Sequence, residues 1–580
     1  MQGKNKNSKL LMNCINSLPL AITVMLFTFF SHAEMGKKSV NIGKSITGNY
    51  LAGNHAQYRK DFSTALDFLL AALNVDPTSP ALLHRTFSLM ILEGRIEEAK
   101  GLARRLVDLE TNTALAYLTL AVNEIKQGNY QLANTQLKKI QKNSLIGIVA
   151  PLIRAWILIG QEKVIEAKKI LRNLPKEKSI RTFYYLHSAL INEFLGKFKE
   201  AKNDYKKIQS NRSEMSLRTV LLLGALYEKT GEKNKAKKLY EKYLLEHPET
   251  KLFNIPLDRI ASGRSSNLKS ITITDGLAEL LFGVSSFLRL QNDKKTPLML
   301  GQFALFLKPQ FPILQILLGD ILETSNQPEK ALKIYQMIPK QSSFSWHARL
   351  RVANILGRVN RLDEAIKYLL DMSQDKREEP GPLINLGDLL RGQERFIEAI
   401  DAYDKAFERI KNIEPKHWSL LYARGIALER SKQWPKAEKD LLSALVLKPE
   451  QPYVLNYLGY SWIDQGLHLD RAQAMISLAA NLRPNDGYII DSLGWGYYKL
   501  GQFEKAVKNL ERAVELRPQD PILNDHLGDA LWHVGRKREA VFQWKRSLSL
   551  EPEKDLVIKL NKKILSGLNG NTKTIEKESQ

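Results

Sequence analysis

The chain is 580 residues long, 44% hydrophobic and 26% charged, with a formal net charge of +24. This balance excludes an intrinsically disordered chain. The lone cysteine, Cys14, excludes a disulfide framework and a cysteine-ligated zinc site.

Residues 1–33 have the form of a secretory signal. Lys4, Lys6 and Lys9 give a basic start, Leu18 to Phe30 is an apolar stretch of 13, and Ser31-His32-Ala33 supplies the small residues that a signal peptidase reads. Cleavage after Ala33 would leave a chain without cysteine, and Cys14 precedes the apolar stretch, where a lipidated cysteine would not lie. The expectation is the periplasm of a Gram-negative bacterium. The alternative is an uncleaved inner-membrane anchor facing the periplasm, although 13 apolar residues fall short of the ~20 that a span needs.

From residue 46 onward a period takes over. Ala65, Ala99, Ala133, Ala167, Ala201, Ala236, Ala331, Ala365, Ala399, Ala437, Ala472, Ala506 and Ala540 are mostly spaced by 34 residues, with one break of 95 between Ala236 and Ala331. A fixed period of this size marks stacked helix pairs, in which each unit buries its apolar face on its neighbours. Residues 487–520 give the pattern: Leu493-Gly494 in a first helix, Gly501 at the turn, Ala506 and Ala513 in a second helix, and Pro518 at its end. Small residues belong where two helix backbones approach, and proline where a helix stops. Residues 452–484, 418–449, 521–552, 217–248 and 46–77 repeat this pattern.

The pattern resembles the tetratricopeptide repeat. The resemblance implies an all-α fold, a right-handed superhelical solenoid of about 13–14 helix-turn-helix units. The expected organisation is a basic array at 46–248, a linker or irregular insertion at 249–275, a second array at 276–552 that begins with one decayed repeat, a capping helix at 553–567 and a disordered tail at 568–580. The stretches QPYVLNYLGYSWIDQG, DGYIIDSLGWGYYKLG and NDHLGDALWHVGR are similar to secreted tetratricopeptide proteins of proteobacteria. That similarity implies an envelope location and a binding role, and no catalytic residues.

In this family positions 2, 5, 9 and 12 of the first helix form the concave surface. On the three clearest repeats those positions hold Tyr453, Asn456, Tyr460 and Ile463; then Tyr488, Asp491, Trp495 and Tyr498; then Ile522, Asp525, Asp529 and Trp532. Aromatic anchors with carboxylates between them suit a peptide carrying basic or apolar side chains. The same stripe also suits helix packing, since aromatic residues at helical spacing often form core. Asp491, Asp525 and Asp529 either face a partner or cap and pair with nearby Lys/Arg; Asp525 and Asp529 lie four apart on one helix, an unfavourable like-charge pair that a partner would offset. The family's clamp for terminal carboxylates uses Lys, Arg and Asn at these positions, and here they are mostly Asp and Tyr.

Residues 101–300 hold 34 Lys/Arg against 19 Asp/Glu, whereas 351–500 hold 21 of each. The surplus fits contact of residues 101–300 with an anionic membrane surface, or simply a lysine-rich solvated face. No nucleic-acid partner is expected, because no aromatic-basic stacking motif accompanies the charge. The sequence has no HExxH, GxSxG, phosphate-binding GxxxxGK[ST] or dinucleotide fingerprint. His526 and His533 lie seven apart with no third ligand near in sequence. The reading is a non-enzymatic scaffold or adaptor without cofactor or metal. The alternative is an accessory subunit of an envelope glycan- or lipid-processing enzyme complex.

Overall fold

A computed structural model describes residues 42–568, apart from 110–112, 173–177, 211–214, 248–249, 251, 265–269 and 292. The expected signal at 1–33, Pro248 and residues 569–580 of the expected tail lie outside the described residues. Among those described there are thirty α-helices and one short 3-10 helix, and no strand. They form two compact units, one ending at Asn360 and one starting at Arg361.

The unit ending at Asn360 contains the pairs Ile46–Tyr58 with Phe62–Val75, Pro80–Leu92 with Ala99–Asp108, Ala114–Lys126 with Tyr130–Lys138, Leu145–Gly160 with Val164–Arg172, Lys178–Phe194 with Phe198–Ser210, and Leu217–Lys229 with Lys233–Glu246. The unit starting at Arg361 contains Gly381–Gly392 with Phe396–Glu408, Trp418–Arg430 with Trp434–Leu447, Pro452–Gln465 with Leu469–Leu482, Gly487–Lys499 with Phe503–Leu516, and Pro521–His533 with Lys537–Ser549, closed by Lys554–Ser566. Local chemistry sets these starts. Ser79, Ser216, Asp486 and Asp520 accept a backbone N–H of the first turn, and Pro80, Pro452 and Pro521 stand where no helical N–H partner is needed.

All thirteen periodic alanines are fully buried, and all but Ala365 lie on the second helix of a pair within one unit. The glycine of the first helix admits a large side chain from the second. A Cβ at Gly224, Gly319, Gly387 or Gly528 would run into Tyr240, Tyr335, Tyr403 or Trp544 respectively. The turn between the two helices takes a left-handed residue whether it is Gly231 (φ 79°) or Lys432 (φ 66°). Packing of the pair therefore imposes the turn, at ~1–2 kcal/mol where the residue is not glycine. This is why the repeat persists where its glycine signal fades.

The 95-residue break holds a short helix and a helix pair. Asn254–Ala261 is a short helix on the end of Lys233–Glu246. Ile273–Leu290 and Lys295–Leu307 then pair, as a decayed repeat would. They also pack against Pro80–Leu92, Ala114–Lys126, Leu145–Gly160 and Lys178–Phe194, far earlier in the chain. Nearest-neighbour stacking thus does not describe this unit, which runs on to Asn360.

Candidate binding faces

In the unit ending at Asn360 the first-helix face meets the hairpin Ile273–Leu307. Trp156 is fully buried against Gly276, where a Cβ would strike its ring, and Phe183 lies over Gly283 in the same way. Gln302 Nε2 donates to Leu92 O at 3.3 Å, and Lys126 Nζ donates to Leu307 O at 3.4 Å. Ion pairs Arg218–Glu279 and Lys330–Glu93 flank these contacts. A cavity of about 470 Å³ remains beside the hairpin, lined in part by Arg218, Glu228, Arg259, Glu279 and Phe311. Its charged groups already answer one another: Glu228 accepts from Arg259 Nε at 2.9 Å and from Tyr240 Oη at 2.9 Å. Fully buried His187 accepts from Trp156 Nε1 through Nδ1 at 3.3 Å, and burial depresses its pKa to about 3.

In the unit starting at Arg361 the first-helix side chains of successive repeats meet one another. Of the ten candidate residues, Asn456, Tyr460, Asp491, Trp495, Tyr498, Asp525 and Asp529 are buried, while Tyr453, Tyr488 and Trp532 are partly buried. Trp495 stacks on Tyr498 and on His526, with centroids 4.6 and 4.0 Å away. His526 Nδ1 lies 3.0 Å from Asp491 Oδ1. Burial works to lower the His526 pKa, but the Asp491 carboxylate holds it above the ordinary histidine value.

Asp525 and Asp529 are explained within the chain. Lys563 Nζ donates to Asp525 Oδ1 at 2.6 Å and to Asp529 Oδ2 at 2.7 Å, and Trp544 Nε1 donates to Asp529 Oδ1 at 2.9 Å. The like-charge pair is offset by Lys563 of the same chain, the nearby-cation alternative that its spacing left open. Burial and the neighbouring Asp525 charge push the Asp529 pKa to about 6. Trp532 leans on Trp544 and stands where a Cβ on Gly567 would be. The tyrosines at position 2 carry cations of their own repeat: Arg483 over Tyr453 and Arg517 over Tyr488, at 5.8 and 5.2 Å from the ring centres. His533 stacks on Phe503, 4.3 Å away. Among the described residues no cluster of three or more His, Cys, Asp or Glu is arranged to hold a metal.

The same stripe is open two repeats earlier. Position 5, 9 and 12 residues Ile384, Asp388 and Arg391, with Ser419, Tyr422 and Ile426 of the next repeat, line a cavity of about 220 Å³. Asp388 keeps about half its side chain exposed (49%) and accepts from Tyr403 Oη at 2.8 Å. Arg391 Nη2 lies 3.6 Å from Asp388 Oδ1. Ser419 is exposed and Tyr422 is buried. The register that yields Tyr453 to Trp532 also yields these residues when it is carried back to residue 381.

Comparison with known proteins finds the same repeat. A TPR repeat model matches residues 496–535, and tetratricopeptide repeat models match 384–454 and 219–250. A TPR repeat-containing protein of Pseudomonas aeruginosa is 29% identical over 199 residues, which are 34% of this chain and 32% of that protein, so the match spans about a third of the relative. Among solved structures, the Cut9–Hcn1 hetero-tetramer of the APC/C aligns with 17% identity over 90% of this chain and 96% of that one, at a TM-score of 0.38. Yeast Tom70 aligns with 15% identity over 89% and 94%, at a TM-score of 0.30.

Proposed function

The chain carries tetratricopeptide repeats, whose family mediates protein–protein interaction, and from that premise we propose that it is a non-enzymatic scaffold that holds a peptide segment of another protein on the first-helix face of the unit starting at Arg361. The carrying observation is the opening at Asp388, Arg391, Ser419 and Tyr422. In the other unit the equivalent face meets the hairpin Ile273–Leu307. A partner segment would enter at Asp388 and run toward Tyr453 and Tyr488, the ring edges that stay partly exposed. Asp388 is an acceptor with space before it, which favours a basic or apolar segment with backbone N–H groups to offer.

The work of this scaffold belongs to the bacterial envelope in this reading, with residues 1–33 as export signal and the basic array toward an anionic surface. No described helix is long and apolar enough to cross a membrane. Service as an accessory subunit to a glycan- or lipid-processing enzyme would use the same face.

The test is photocrosslinking in cells with a crosslinker at Ser419 on the first-helix face and at Lys439 on an exposed second-helix position. A protein captured from Ser419 alone is the expected result. Equal capture from both positions, or none from Ser419, sinks the reading. Cell fractionation of the same strain decides the compartment. Tyr460 and Trp495 are poor reporters here, because their burial makes loss of fold and loss of partner look alike.

A further inference from the structure

A polar cavity of about 250 Å³ lies between Val164–Arg172, Lys178–Phe194 and Phe198–Ser210, and it belongs to neither face described above. Lys168 and Arg172 line it from one helix, four residues apart and so on one side. The Lys197 ammonium lies beside that of Lys168. Burial first, and then Lys197, depress the Lys168 pKa.

Among the described residues none of these three cations forms an ion pair. Two carboxylates are near. Asp204 is committed: it accepts from Ser188 at 2.7 Å, Asn192 at 3.0 Å and Lys207 at 3.2 Å. Glu200 lines the cavity and opposes only part of the charge on Lys168. Among the described residues, Lys168, Arg172, Lys197 and Lys207 against these two carboxylates leave a local surplus of two positive charges around a cavity with Tyr184 and Asn203 on its wall. Lys168 is partly buried, and Arg172 and Lys197 are exposed. Like charges at helical spacing are unfavourable by themselves, and a dianion in the cavity offsets that cost.

We propose that this cavity binds a phosphate monoester group, with Lys168, Arg172 and Lys197 as its cationic ligands. Arg172 supplies the planar fork, and the two ammonium groups supply mobile point charges. The group comes either from a soluble phosphate ester or from the headgroup of a lipid such as phosphatidic acid.

Calorimetric titration of the full chain with inorganic phosphate, at constant ionic strength, tests the chemistry. Saturable binding is expected, with an affinity loss of about tenfold or more in K168Q/K197Q, since one lost charge-assisted contact alone is worth about that much. K168R should retain most of the affinity. The control pair K138Q/K238Q removes two exposed lysines elsewhere on the same array and should change affinity by less than about twofold. Melting temperatures of all variants establish that they fold. Absence of saturable phosphate binding, or an equal loss in both pairs, overturns the proposal, the latter by reducing it to diffuse charge. Flotation with phosphatidylcholine vesicles, with and without phosphatidic acid, then separates the sources. Recruitment lost in K168Q/K197Q assigns the lipid headgroup, and phosphate binding without recruitment assigns a soluble ester; both uphold the shared chemistry.

Discussion

In the unit ending at Asn360, the first helices meet a hairpin from later in the same unit: Trp156 on Gly276, Phe183 on Gly283, and the Leu92 carbonyl accepting from Gln302. In the unit starting at Arg361 they meet the next repeat: Trp495 on His526, Asp491 on His526, Asp529 on the closing helix through Lys563. One repeat grammar thus builds two inner faces. The repeat itself dictates how two helices pair. In the first unit the inner face confronts a segment without the period, the hairpin; in the second only the last repeat meets one, the closing helix.

Removing the hairpin's principal anchor should break the comparison most visibly. Trp156→Ala deletes a fully buried ring and the donor to His187, and should cost the first unit about 3–5 kcal/mol. Urea unfolding should then show an early transition that leaves the signal of the second unit in place. A single transition, shifted as a whole, would show that the two units do not behave independently.

The second unit has a matching anchor in its cap. Lys563→Met strands Asp525 and Asp529 in a buried site and should cost about 3 kcal/mol at neutral pH. Adding Asp525→Asn and Asp529→Asn should recover much of the loss in the same melts. If the single change is silent, the cap is an ornament and the acidic pair must find its counter-charge elsewhere.

The legible part of this fold was the helix pair. Every periodic alanine became a fully buried contact because a backbone-to-backbone approach tolerates nothing larger, and that constraint is local enough to read from spacing. The hairpin's docking was not legible, since Gly276 carries no sign that its partner is Trp156, 120 residues earlier. The acidic pair was half legible. Its like-charge strain and the closing helix were both visible, but only the packing joins Lys563 to Asp525. The Asp388–Arg391 opening was missed because the concave register was applied only to the three clearest repeats, although residues 381–392 carry it too.

A smaller substitution asks how local the repeat energetics are. Gly494→Val places a Cβ about 2.6 Å from Leu510 Cγ and should cost about 1–3 kcal/mol, confined to the second unit. Hydrogen exchange should rise in Gly487–Leu516 and its neighbours, with Leu145–Gly160 unaffected. Spread into that distant helix would end the nearest-neighbour description for the second unit as well.

The two buried histidines give the finest contrast, because the same side chain is tuned in opposite directions. His187 has the Trp156 indole as its described hydrogen-bond partner, and its folded pKa of about 3 lies below the unfolded 6.5. Above pH 6.5 it is neutral in both states and contributes no pH dependence. As pH falls from 6.5 toward 3 only the unfolded chain gains the proton, so the first unit loses up to about 1.4 kcal/mol per pH unit. His526 faces Asp491, Asp525 and Asp529, and its folded pKa lies above 6.5. Its contribution is complete below pH 6.5 and fades as pH rises through the folded value. Melts of H187Q and H526Q against the parent chain, across pH 4 to 8, should therefore show excess stability of H187Q at the acid end and a deficit of H526Q that is largest there and shrinks toward pH 8. The same slope in both variants would mean that their surroundings do not set these pKa values, and that the difference between a face packed on a hairpin and a face packed on carboxylates carries no electrostatic consequence.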